Sequence, residues 1–171
     1  PSVVIPAAAS PGDRLLLVMS LNSTDRTFTG PSGVSGTTLL GTNVAKTMST
    51  TVWTKTLEAG DPGATVTVPL TGGLTKYNLA AAVYSGVAET PSLAFANDVG
   101  LVNDTVRLTP QVSDIPDGSW VVSYWADKSS TTTAWTPSGL VATRATGCGT
   151  SSARICSALA DSAAKVPAVY G

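Results

Sequence analysis

The residues best placed to do chemistry in this chain are aromatic and acidic. Four Trp and four Tyr stand out in a sequence of 171 residues that has no His, two Cys and two Met. Around Trp125 the residues alternate. Trp120, Val122, Tyr124 and Ala126 fall on one face of an extended strand, and Val121, Ser123, Trp125 and Asp127 on the other. Trp125 is therefore on the more polar face, beside Asp127. Trp135 lies between Thr133-Ala134 and Thr136-Pro137, the most polar setting of any Trp here. An exposed indole with hydroxyls and a carboxylate nearby is a platform on which a sugar ring stacks. Trp125, Trp135, Asp127 and Tyr124 are accordingly the candidate ligand-binding residues. The competing reading is that both indoles pack under loops, as most aromatic rings do.

Without His, the Ser-His-Asp and Cys-His arrangements and the His-containing zinc sites cannot be built within the chain. A glycosidase-like pair of carboxylates remains, since it needs no His. The two Glu, Glu58 and Glu89, both stand beside turn residues. Asp127 and Asp161 close the similar segments Ser-Tyr-Trp-Ala-Asp and Ser-Ala-Leu-Ala-Asp and read as strand corners. No acid, base and positioning group converge, so no catalytic residue is assigned and the chain is not expected to be an enzyme. Asn97-Asp98 and Asn103-Asp104, with Asp114 and Asp117 further on, offer oxygen ligands of the kind Ca²⁺ takes. They lack the contiguous alternation of a calcium loop and read as turn-forming residues. No metal and no cofactor is expected.

Cys148 and Cys156 enclose seven residues, 149–155, rich in Gly and Ser. Their even count and close spacing favour a disulfide and an oxidising compartment, the alternative being two thiols buried as small hydrophobes. The composition agrees. Ser and Thr number 19 and 25, whereas charged residues make up only 12%. That is half the usual share of about 25%. A net charge of −1 is too balanced for a nucleic-acid groove or a polybasic membrane patch. The longest apolar runs, 15–19 and 79–84, fall far short of the roughly 18 residues needed to span a bilayer. Neither nucleic-acid binding nor membrane insertion is expected.

The elements that must position these residues read as strands. Leu15, Leu17, Met19 and Leu21 form an apolar face, while Arg14, Leu16, Val18, Ser20 and Asn22 form one that turns polar toward its end. Further alternating strands are expected over 64–70, 77–84, 37–46, 50–57, 105–109, 119–127, 140–146 and 153–160. A helix is conceivable only over 158–164, which lacks a clear stop. Three corners echo one another, Pro11-Gly12-Asp13, Pro62-Gly63-Ala64 and Pro116-Asp117-Gly118, each feeding a strand. They read as recurring turn chemistry rather than repeated modules. Turns at this spacing imply an all-β, antiparallel β-sandwich, with a jelly roll as one form of it, little helix, and a single domain over 1–171.

Four segments carry a resemblance. They are Pro11-Gly12-Asp13-Arg14-Leu15-Leu16-Leu17, then Glu58-Ala59-Gly60-Asp61-Pro62-Gly63 before Thr65-Val66-Thr67-Val68, then Tyr84-Ser85-Gly86-Val87, then 119–127. Together they resemble a β-sandwich module of secreted multimodular actinobacterial proteins and of the virion (tail or decoration) proteins of their phages. The likeness covers most of the chain and rests on strands and corners, with no active site to carry over. Thr37 stands where such modules commonly have Trp, and similar modules continue past Gly171 into at least one more strand. The resemblance implies an extracellular or virion-surface module serving structural assembly or adhesion, and a chain that starts at Pro1 without an initiator Met is expected to be a processed product or a fragment of a longer one. Its expected partners are neighbouring protein subunits or domains. A sandwich lacking a final strand would present a backbone edge open to strand addition. A carbohydrate-binding module with a cell-surface glycan as ligand is the second expectation.

Overall fold

The computed structural model describes residues 1–97 and 106–166. All nine elements among them are strands: β1 (Ser2–Val4), β2 (Arg14–Leu21), β3 (Thr38–Ala45), β4 (Met48–Thr56), β5 (Thr65–Thr67), β6 (Tyr77–Tyr84), β7 (Val122–Ser129), β8 (Ala142–Cys148) and β9 (Arg154–Asp161). They make a two-stranded ribbon β1-β5, a four-stranded sheet in the order β3-β4-β2-β6 and a three-stranded sheet in the order β7-β9-β8. Every pairing is antiparallel. The all-β, antiparallel sandwich expected from the alternation is what forms.

The four-stranded sheet lies between two cores. On one face Leu15, Leu17, Met19 and Leu21 of β2 and Trp53 of β4 pack with Ile5, Leu57, Val66 and Val68 under the β1-β5 ribbon. Phe28 meets Trp53 edge-on at 5.4 Å. On the other face Val18, Val52, Ala80, Ala82 and Tyr84 pack against Leu159, Trp120, Val122, Tyr124 and Ala145 of the three-stranded sheet and its approach. The second face of β2 was expected to grow wetter. Past Leu16 it is instead covered, and its hydroxyl, that of Ser20, shares hydrogen bonds with Thr50 at 2.7 Å and Tyr124 at 3.0 Å.

The three echoing corners share one turn. In each, the fourth residue's N–H donates to the carbonyl of the first: Asp13 to Ser10, Ala64 to Asp61 and Ser119 to Pro116. Gly12 and Gly63 occupy the third position at φ +91° and +81°, where a side chain would be strained. Each corner is also tied to a neighbouring segment. Gly12 donates to Leu57, Gly63 to Ile5 and Gly118 to Val166.

Several boundaries differ from expectation. The segment 64–70 is a strand only over Thr65–Thr67, followed by an isolated bridge of Leu70 to Phe28. Residues 106–109 alternate well but are irregular and belong to no strand, and Thr105 lies outside the described residues. The possible helix over 158–164 is the end of β9, then a short turn. The short strand β1 was not expected. The tail 167–171, for which a following strand was expected, lies outside the described residues.

At the end of β4, the Lys55 ammonium sits 3.1 Å from Asp61 and 3.3 Å from Glu58, its side chain 2% exposed and that of Glu58 71% exposed. Asp61 also accepts the Glu58 N–H at 2.7 Å, which fixes the corner that Pro62-Gly63 turns. Removing the ammonium leaves a buried carboxylate without its partner, whereas removing the exposed one does not. Lys55→Ala is therefore expected to lower unfolding free energy by about 3 kcal/mol. Glu58→Gln should cost no more than about 0.5 kcal/mol. Urea titration of the two variants checks the contrast, and equal losses would refute it.

Candidate functional site

The expected ligand-binding residues divide between the two faces of β7. Tyr124 points into the core between the sheets, where its hydroxyl bonds Ser20, and burial pushes that hydroxyl's pKa up. Trp125 and Asp127 face outward. Directly opposite them on β9 stand Ala158 and Cys156, and beyond these on β8 Thr146 and Cys148. Cross-strand partners share a face, so Asp127 and the cysteines belong to one patch.

Cys148 and Cys156 form a disulfide across the β8-β9 hairpin. The chain leaving β7 folds back over them. Ser129 Oγ accepts the N–H groups of Thr131 and Thr132 at 3.0 and 2.9 Å, and Ser130 Oγ accepts that of Ala153 at 3.0 Å. Thr132 then donates its hydroxyl to Asp127 at 2.5 Å, while its carbonyl accepts Arg154 Nε at 2.7 Å and lies 3.3 Å from Cys156 Sγ. Among the described residues, the other Asp127 oxygen and the indole N–H of half-buried Trp135 are buried without a hydrogen-bond partner. Two such groups near one loop are costly unless water or a ligand hydroxyl meets them.

Asp127 and Asp161 do not meet. Because β7 and β9 are antiparallel, Asp127 lies opposite Cys156 and Asp161 opposite Val122, which places the two carboxylates roughly 17 Å apart along the sheet. They cannot share a substrate bond. Glu58 and Glu89, by contrast, line one cleft of about 370 Å³ with Arg14 and Lys55. Lys55 is already bound to Glu58 and Asp61 there. Of the oxygen-rich residues considered for Ca²⁺, Asn97 instead holds β3, bonding Asn43 at 2.5 Å and the Val44 carbonyl at 3.2 Å. Asp117 is the second residue of the turn that Ser119 closes, and Asp98, Asn103 and Asp104 lie outside the described residues. No three His, Cys, Asp or Glu side chains are grouped to hold a metal among the described residues.

A second cluster was not anticipated. Asp161 is wholly buried and takes four hydrogen bonds: Arg144 Nε at 2.5 Å, Arg144 Nη2 at 3.0 Å, Tyr84 Oη at 3.1 Å and the Ala163 N–H at 2.9 Å. Tyr84 belongs to β6, Arg144 to β8 and Asp161 to β9, so the carboxylate ties the two large sheets together. Trp120 leans on Tyr84 with ring centres 5.6 Å apart. Beside this cluster a cleft of about 350 Å³ is lined by Pro6, residues 81–85 along β6 and just past its end, Trp120 and Arg144. Its partners come from distant parts of the chain, and no spacing signals them. A lone Asp ending an apolar strand is the one available hint.

No protein-family model matches the chain, and no curated protein and no solved structure matches it. No helix among the described residues is long and apolar enough to cross a membrane.

Burial pushes the Asp161 pKa up, but Arg144, the Ala163 N–H and Tyr84 outweigh it and hold the carboxyl below its ordinary value. A depressed carboxyl pKa stabilises the fold above the unfolded value of about 3.9, and the gain is lost as pH falls through the native value. Tyr84 is raised, first by burial and then by the Asp161 charge. Its contribution is full below the unfolded value of about 10 and is lost as pH rises beyond it. Asp161→Asn should lower stability at pH 7 by about 2 kcal/mol and flatten the acid limb below about pH 4. Denaturant midpoints from pH 2 to 11 measure both, and an unchanged acid limb would refute the assignment.

The disulfide closes a short loop, so reduction should cost about 2.5 kcal/mol on the chain-entropy account. Non-reducing mass analysis should find no alkylatable thiol before reduction. Two free thiols in the native chain would contradict the bridge.

Proposed function

We propose that this chain is a non-catalytic β-sandwich module, exposed outside the cell or on a virion surface, that serves structural assembly or adhesion. The observation that carries this reading is the free edge of β6. That strand pairs with β2 alone, and among the described residues no backbone hydrogen bond reaches it from the other side. An unpaired edge beside a cleft is a site for another chain. The disulfide fits an oxidising compartment. The four segments described above support kinship with the modules of secreted actinobacterial and phage virion proteins.

A carbohydrate-binding role is the second reading, favoured by one observation. Among the described residues, Trp135 Nε1 and one oxygen of Asp127, which shares its face of β7 with Trp125, are buried without a hydrogen-bond partner. A sugar hydroxyl can bridge a donor and an acceptor of this kind.

A glycan array separates the two. The assembly reading expects no glycan to bind, and expects a photo-crosslinker placed on the exposed Leu39 or Tyr77 of the four-stranded sheet's outer strands to capture neighbouring protein subunits in the native particle or envelope. Glycan binding abolished by Trp125→Ala or Trp135→Ala would replace it with the lectin reading.

A further inference from the structure

The cleft beside Asp161 runs along a strand rather than across one. Side chains alternate between the faces of a strand, so a cleft that touches Ala81, Ala82, Val83, Tyr84 and Ser85 in succession must follow the backbone edge of β6. Ala80, Ala81 and Ala82 carry small side chains, which lets a second backbone approach to the usual spacing of about 4.8 Å. Pro6, Trp120 and Arg144 line the rest of the cleft.

The charge along this groove is one-sided. Arg144 directs Nε and Nη2 at Asp161, and its Nη1 makes no hydrogen bond among the described residues, although the side chain is 43% exposed. A guanidinium offers five donors on two edges, so the Asp161 pair leaves one edge open. Lys165, exposed and in no ion pair among the described residues, holds its ammonium beside Gly86, just past the last groove residue on β6. Among the described residues, the one carboxylate in contact with the groove's cations, Asp161, is buried and already paired. An incoming strand that bears a carboxylate therefore gains a charge-assisted bond that a neutral strand does not.

We propose that the β6 groove binds an extended acidic peptide segment of a partner protein by strand addition, with a partner carboxylate on the open edge of Arg144. The proposal rests on the assembly reading and names its partner. Backbone bonds along Ala81 to Ser85 supply affinity. Trp120 receives an apolar side chain, and Arg144 and Lys165 select acidic segments.

The test uses the full chain, ¹⁵N-labelled, and three acetylated and amidated hexapeptides. One is Thr-Val-Glu-Val-Thr-Val, one has Gln in place of Glu, and one is N-methylated at alternate residues. The Glu peptide should shift and protect amides within 81–85 at concentrations below about 1 mM. The Gln peptide should bind about three- to tenfold more weakly, and the N-methylated one should not bind. Lys165→Glu, at an exposed position, should erase most of the Glu preference. No shift in β6, or equal binding of the Glu and Gln peptides, overturns the proposal. Protection that appears with protein concentration alone assigns the edge to a second copy, and protection without peptide that vanishes on deleting 167–171 assigns it to the chain's own tail; either result overturns it. If β6 stays silent while crosslinkers elsewhere still capture subunits, only this inference falls. If nothing is captured and a glycan binds, the assembly reading falls as well.

Discussion

Everything else in this structure depends on β2 being buried on both faces. Its residues from Leu15 to Leu21 all lie inside, apart from half-buried Leu16, and supply one side chain in turn to each core. Such a strand tolerates no slip in register. A shift of one residue would drive Ser20 into the core beneath the ribbon, away from Thr50 and Tyr124, and leave its hydroxyl unpaired. The registers of β4 and β6 follow from that of β2, because both pair with it over its full length. The position of Lys55 at one end of β4, and of Tyr84 at one end of β6, are consequences of the same constraint.

Alternation made most strands legible, and its failures have physical causes. The inner face of β2 could be read at once from Leu15, Leu17, Met19 and Leu21. Its second face could not, because the residue that accommodates Ser20 is Tyr124, about a hundred positions later. β9 is central in its sheet and shielded on both faces from Ile155 to Asp161, which erases the polar beat and makes 158–164 ambiguous with a helix. At 105–109 the opposite holds. The residues alternate, yet 106–109 belong to no strand. The separation of Tyr124 from Trp125 and Asp127 was written in the alternation itself. What it could not disclose was which face another sheet would cover.

The low charge content has a structural counterpart. Two of the charged clusters are clips at the margins of the sandwich. Lys55 gathers Asp61 and Glu58 around a corner, and Asp161 gathers Arg144 and Tyr84 across the two large sheets. Hydroxyls do much of the remaining polar work, as in the Thr42–Thr51 and Ser2–Thr67 pairs across neighbouring strands. Hydroxyl pairs join strands without the desolvation cost that buried ions carry. A chain that is a quarter Ser and Thr can therefore be well bonded while carrying few charges.

Strand addition alone is blind to sequence, since every non-proline backbone offers the same donors and acceptors. Selectivity at an edge has to come from its walls. In β6 those walls are fixed by the clip that joins the sheets. Asp161 holds the guanidinium of Arg144 by Nε and Nη2, and the same carboxylate accepts the Tyr84 hydroxyl while Trp120 rests on the Tyr84 ring. The orientation of the cation and of the apolar wall is thus set before any partner arrives, and less entropy remains to be lost on binding. One buried carboxylate serves both purposes, because the strands that it joins are the ones that border the groove.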